Sequence, residues 1–180
     1  MTEAPQIEAL KYPIGPCSYP ATATAEERRI WIVDIAETPA KLRAAVTGLS
    51  AAQLDTPYRP GGWTVRQVVH HLPDSHVNAY VRFKLALTED EPTIKPYDEK
   101  QWAGMPDSLT GPIEMSLDLA ESLHRRWSLV LNNMTGADFE KSIRHPEIGV
   151  LKLKSVLAGY GWHSRHHVAQ IVATRQRMGW

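Results

Sequence analysis

From Thr24 onward the chain repeats one signal, apolar residues at steps of three and four, the spacing that lines one face of a helix. Thr24-Ala25-Glu26-Glu27 opens the first such stretch as a capping box, in which hydroxyl and carboxylate satisfy orphan amides reciprocally. Ile30, Val33, Leu42, Val46 and Leu49 continue its stripe, with Gly48 where a terminator is expected and Pro39 predicting a kink. Ser50 to Leu54 reads as a short helical turn, and Pro57, Pro60, Gly61 and Gly62 as a loop. A second capping box, Thr64-Val65-Arg66-Gln67, starts a helix carrying Val65, Val68, Val69, Leu72, His76, Tyr80, Phe83 and Leu87, with a bend expected at Pro73. A third helix spans about Pro112 to Met134, and a fourth, capped by Ser155, runs to about Met178 with Val156, Tyr160, His163, His167 and Ile171 in its stripe.

Between these helices the pattern lapses in informative ways. Glu89 to Pro112 is rich in proline and charge, with one or two helical turns near Tyr97 to Trp102, and its length suits a crossover that lets neighbouring helices run parallel. Thr135 to Glu140 reads as a capped turn, and the segments around Pro146 and Gly149 as a small hairpin. The stretch from Tyr12 to Pro20 holds three prolines and a glycine. We therefore expect an irregular N-terminal arm over residues 1–23, wrapping over a single all-α four-helix bundle of residues 24–180.

Composition narrows the function. Lys+Arg and Asp+Glu balance at 20 each without long runs of one sign, so no electrostatic footprint for nucleic acid or anionic membrane exists. The single cysteine, Cys17, excludes an intrachain disulfide and a cysteine-based zinc site. Met1 to Leu10 lacks the basic start and apolar core of a signal peptide, and no apolar stretch approaches a membrane span. The expected setting is cytoplasmic.

Six of the eight histidines fall in two short runs, His70, His71 and His76, and His163, His166 and His167. His163 and His167 are i and i+4 on the last helix, so their imidazoles project from one face and can share a divalent metal. A third imidazole from the earlier run would complete the site in a bundle core, where facing helices build such centres. Spacing leaves His71 and His76 level for that role and disfavours His70. His166 faces away from the pair, towards the surface or behind the ligands, and His124 and His145 read as isolated packing or surface residues. Ser164 stands where the general-base glutamate of an HExxH protease would be, which argues against a zincin. Asp74, Asp98 and Glu99 are weak candidates for a base.

The run Tyr58-Arg59-Pro60-Gly61-Gly62-Trp63-Thr64-Val65-Arg66-Gln67-Val68-Val69-His70-His71-Leu72, with Asp74-Ser75-His76 and Tyr80-Val81-Arg82-Phe83-Lys84, resembles the DinB/YfiT-like metal-dependent hydrolases. Trp162-His163-Ser164-Arg165-His166-His167, the ending Arg177-Met178-Gly179-Trp180 and the arm motif Tyr12-Pro13-Ile14-Gly15 resemble the same group, so the likeness spans nearly the whole chain. One departure is Pro73, where the family has a small non-proline residue. The resemblance implies an up-down-down-up bundle and one zinc or nickel ion per subunit. It also implies a three-histidine site whose ligands fall here on His71, His163 and His167, and a cytoplasmic homodimer. It is unrelated in chemistry to the polymerase that shares the DinB label.

The function this implies is hydrolysis of a small-molecule substrate by metal-activated water. A second branch of the superfamily resembles thiol S-transferases, for which Ser75, Asn78 and Arg82 would hold a low-molecular-weight thiol. A third reading, a metal-stabilised binding domain without turnover, needs only the folding contribution of the metal.

Overall fold

The computed structural model describes the backbone from residue 3 and side chains from residue 7. Four long helices form the bundle: α2 (Ala25–Val46), α4 (Val65–Thr88), α7 (Ile113–Asn133) and α8 (Leu153–Met178). Shorter elements fill the connections, α3 (Ala51–Leu54), α5 (Glu99–Ala103), α6 (Pro106–Thr110), a 3-10 turn (Asp138–Glu140) and the antiparallel hairpin of β1 (Ser142–His145) and β2 (Gly149–Lys152). The expected capping boxes at Thr24 and Thr64 are formed and Ser50 makes a third before α3, each side-chain oxygen accepting the amide three residues on. Pro73 is accommodated within α4, which continues unbroken as one helix past it.

Two sequence-based expectations are corrected. The arm begins as a helix, α1 (Glu3–Lys11), because its run of alanine, glutamate, glutamine, leucine and lysine favours helix despite the prolines beyond it. Only the segment after it is irregular. Ser155 does not cap α8, which starts at Leu153 after Lys152; its hydroxyl instead donates to the Pro20 carbonyl at 2.7 Å. With Trp162 Nε1 donating to Gly15 O at 3.0 Å and Gln170 Nε2 to Lys11 O at 2.9 Å, that bond fastens the arm along α8.

Cross-links fix the helix directions. Arg43 meets Asp118 while the Ile35 carbonyl meets His124, so α2 and α7 are antiparallel. Asp34 meets Arg165 and the Ala45 carbonyl meets Arg175, so α2 and α8 are parallel. His70 to Ser116 and His76 to His124 make α4 and α7 parallel, which the long connection of residues 89–112 permits. The order is therefore up-down-down-up.

The core divides along the bundle axis. One apolar cluster gathers Ile35, Phe83, Trp127, Leu131, Leu153 and Leu157; another gathers Leu42, Val46, Val65, Leu72, Leu117 and Ile171. Between them, buried polar residues interrupt the stripe on every long helix: Thr38 on α2, His71, Ser75 and His76 on α4, His124 on α7, and Ser164, His166 and His167 on α8, beside the half-buried His163. Burying polar groups in mid-core costs free energy unless they are bonded, so this layer is where function is expected. Among the described residues no helix is long and apolar enough to cross a membrane.

Candidate metal centre

His71 reaches the middle layer from the second helical turn of α4, whose start is held by the loop before it. Pro57 bridges Thr64, Tyr58 N donates to Trp63 O at 3.0 Å, and Gly61 takes a positive φ of 65° that side chains rarely adopt. The turn delivers the Trp63 ring onto His71, with centroids 4.6 Å apart. The Gly61-Gly62-Trp63 run thus shapes the wall beside the imidazole.

The three imidazoles converge through Nε2. His71 Nε2 lies 3.3 Å and His167 Nε2 3.2 Å from His163 Nε2. Nitrogens bound at about 2.0–2.1 Å around one tetrahedral zinc stand about 3.3–3.4 Å apart, so the spacing fits a shared ion. Burial, reinforced by the neighbouring His166, pushes the His71 imidazole down to about 4, and burial followed by the other imidazoles holds His163 and His167 well below the usual histidine range. All three are neutral at pH 7, the form that donates a lone pair.

The residues behind the cluster are as ordered. Gln170 Nε2 donates to the Lys11 carbonyl, so its Oε1 faces His167 Nδ1 at 2.9 Å and accepts that N–H, which leaves His167 Nε2 bare. That lone pair points at His163 Nε2 across 3.2 Å, into the space between the three rings.

The other histidines separate. His70 serves packing, donating Nε2–H to the Gly111 carbonyl at 3.1 Å while Ser116 Oγ lies 2.7 Å from Nδ1. His76 stands behind His163, Nε2 to Nδ1 at 3.0 Å, and His124 behind His76 at 2.9 Å. His124, isolated in the sequence and expected to pack or lie at the surface, is buried, with its partners on other helices. His166 is not a surface residue: it is buried, stacked on Trp162 at 4.2 Å and bonded to Gln170. His145 lines the rim, its Nδ1 accepting from Glu147 N.

Above the cluster opens a cleft of about 780 Å³. His71, His163 and His167 line it together with Tyr97, Tyr160, Ser75 and Arg82. Arg82 Nη1 donates to Tyr160 Oη at 3.3 Å. Asn78 is turned away, bonded to the Asp74 carbonyl. Of the candidate bases, Asp98 and Glu99 line the cleft, but Asp98 caps α5 through Lys100 N and Gln101 N, bonds that hold its carboxyl below the usual range. Asp74 does not line it; burial, then Asp107, raises its carboxyl to about 6.

A family model described as the DinB superfamily matches residues 34–171. The chain belongs to the DinB superfamily. Among similar proteins is one from Bacillus mycoides (strain KBAB4), named "putative metal-dependent hydrolase", 52% identical over 174 residues that cover 97% of this chain and 100% of that protein. A Bacillus cereus (strain 03BB102) protein of the same name is 52% identical over 95% of this chain and 98% of its own. The solved structure of YfiT from Bacillus subtilis, described as "a probable metal-dependent hydrolase with an unusual four-helix bundle topology", superposes with a TM-score of 0.93 at 48% identity, covering 96% of this chain and 99% of that one.

Proposed function

We propose that the chain is a metal-dependent hydrolase holding one divalent ion, zinc or alternatively nickel, on His71, His163 and His167. The observation that carries this reading is the convergence of three neutral Nε2 atoms beneath an open cleft, with no carboxylate in the cluster among the described residues. The names of the relatives favour hydrolysis over thiol transfer or a purely structural metal.

When bound, such an ion supplies Lewis acidity that polarises an electrophile and activates water near neutral pH. The chain's own residues bind and orient. Trp63 walls one side of His71, Gln170 holds His167 in its ligating tautomer, and Tyr160, held by Arg82, presents with it a phenol and a cation to the polar part of a small-molecule substrate. A homodimer in the cytoplasm belongs to the same proposal, and sedimentation of the purified protein tests the first part.

Purified protein stripped by a chelator should lose turnover of a panel of chromogenic carboxylic esters, amides and phosphoesters, and regain it with one equivalent of zinc or nickel. His71→Ala should not regain it. Metal that raises the melting temperature while no substrate in the panel turns over would leave the metal a structural role and overturn the proposal.

A further inference from the structure

Behind the cluster runs a chain of imidazoles that ends on a backbone carbonyl. His124 Nδ1 lies 2.6 Å from Ile35 O, His124 Nε2 lies 2.9 Å from His76 Nδ1, and His76 Nε2 lies 3.0 Å from His163 Nδ1. A carbonyl only accepts, so His124 carries its proton on Nδ1 and its Nε2 is bare. His76 must then donate from Nδ1, which bares its own Nε2. His163 must in turn donate from Nδ1, and its Nε2 is left free to face His71 and His167. One carbonyl thus sets the proton position of three neutral rings.

The carbonyl itself is made available by sequence. Within α2 the amide that would bond Ile35 O belongs to residue 39, and Pro39 has none. His124 takes the vacated acceptor, and both His76 and His124 are fully buried between the helices.

We propose that His124 is a positioning residue for the metal centre: by donating to the Ile35 carbonyl it imposes, through His76, the Nδ1–H tautomer of His163 that presents Nε2 to the ion. The inference rests on the three-imidazole reading of the site. It also means that the partner behind His163 is neutral where many metal-bound histidines have a carboxylate, which leaves the ligand less basic.

The test uses full-length protein, wild type, His124→Phe and His124→Gln. Phenylalanine keeps the ring volume but has no acceptor for His76; glutamine restores an acceptor oxygen and an amide donor. Two-bond 1H–15N spectra of the metal-free wild type should show His124, His76 and His163 all as Nδ1–H tautomers. In His124→Phe the His163 signal should move to the Nε2–H tautomer, and zinc affinity, measured by competition with a chromophoric chelator, should weaken about 10- to 100-fold. His124→Gln should recover most of both. An Nε2–H His163 in the wild type overturns the inference, even if the phenylalanine variant does not fold. So does unchanged zinc affinity in His124→Phe, or equal loss in both variants. Failure of the wild type to bind zinc or nickel at all would overturn the proposed function, while the tautomers of the metal-free protein would still be measured.

Discussion

Gly161 on α8 lies against Trp31 on α2 so closely that a Cβ built on the glycine would stand 2.9 Å from Trp31 Cβ and 3.2 Å from its Cα. The contact sets how near the two parallel helices approach, and with it the depth at which the α8 histidines enter the middle layer. Trp31 Cα is backbone and has little room to yield.

Gly161→Ala should therefore destabilise the protein although alanine favours helix by about 1 kcal/mol over glycine. Overpacking of a tight contact costs about 1–3 kcal/mol, so a net loss of about 1–2 kcal/mol is expected in urea melts. Gly159→Ala is the contrast. A Cβ there would meet the Tyr19 ring at 2.5 Å, but that side chain is half exposed on the arm and can swing away. Its unfolding free energy should change little or rise.

Gln170→Leu removes the acceptor of His167 Nδ1–H and the donor to the Lys11 carbonyl together. Zinc affinity should fall about 10- to 100-fold, as for other partners behind metal ligands. Limited proteolysis should also cut the N-terminal arm faster, because one of its ties to α8 is gone.

Acid should weaken the metal-free protein well above the carboxylate range. His71, His124 and His166 are pushed down to about 4, in each case first by burial, whereas an unfolded histidine titrates near 6.5. The unfolded state then binds more protons between those values. The stability these neutral rings contribute is complete above about pH 6.5 and is lost as pH falls towards 4, with a slope of about 1.4 kcal/mol per pH unit for each group. Chemical denaturation at a series of pH values, with and without chelator, measures it; a flat profile from pH 7 to 4.5 contradicts the neutral buried layer.

Asp74 carries the opposite sign. Its carboxyl is raised to about 6 by burial and by Asp107, so its ionisation disfavours the folded state. The contribution is favourable below about pH 4 and lost as pH rises through 6. Asp74→Asn should accordingly leave the melting temperature unchanged at pH 4 and raise it at pH 7.

Much of this architecture was legible in the chain. The capping boxes at Thr24 and Thr64 announce helix starts by local chemistry, and the lapse of periodicity after Thr88 announces the crossover. Helix α1 was missed because its stripe is weak and its ordering comes from the Gln170 bond to Lys11, a contact distant in sequence. Spacing could not separate His71 from His76. They stand five residues apart on one helix and point in different directions, and only the seating of α8 brings His71 beside His163 and His167 and leaves His76 behind them. His124 gave no local signal at all. Pro39 was the one hint: a proline in mid-helix leaves a carbonyl in want of a donor.

By itself the sequence determined four amphipathic helices, their order, and a pair of histidines one turn apart on the last of them, because helical periodicity and capping act over a few residues. The tertiary structure decided which imidazoles share a centre, which ring stands behind which, and where each proton sits. Those depend on helix seating to within an ångström and on acceptors contributed by other helices, such as the Ile35 carbonyl, that no local pattern records.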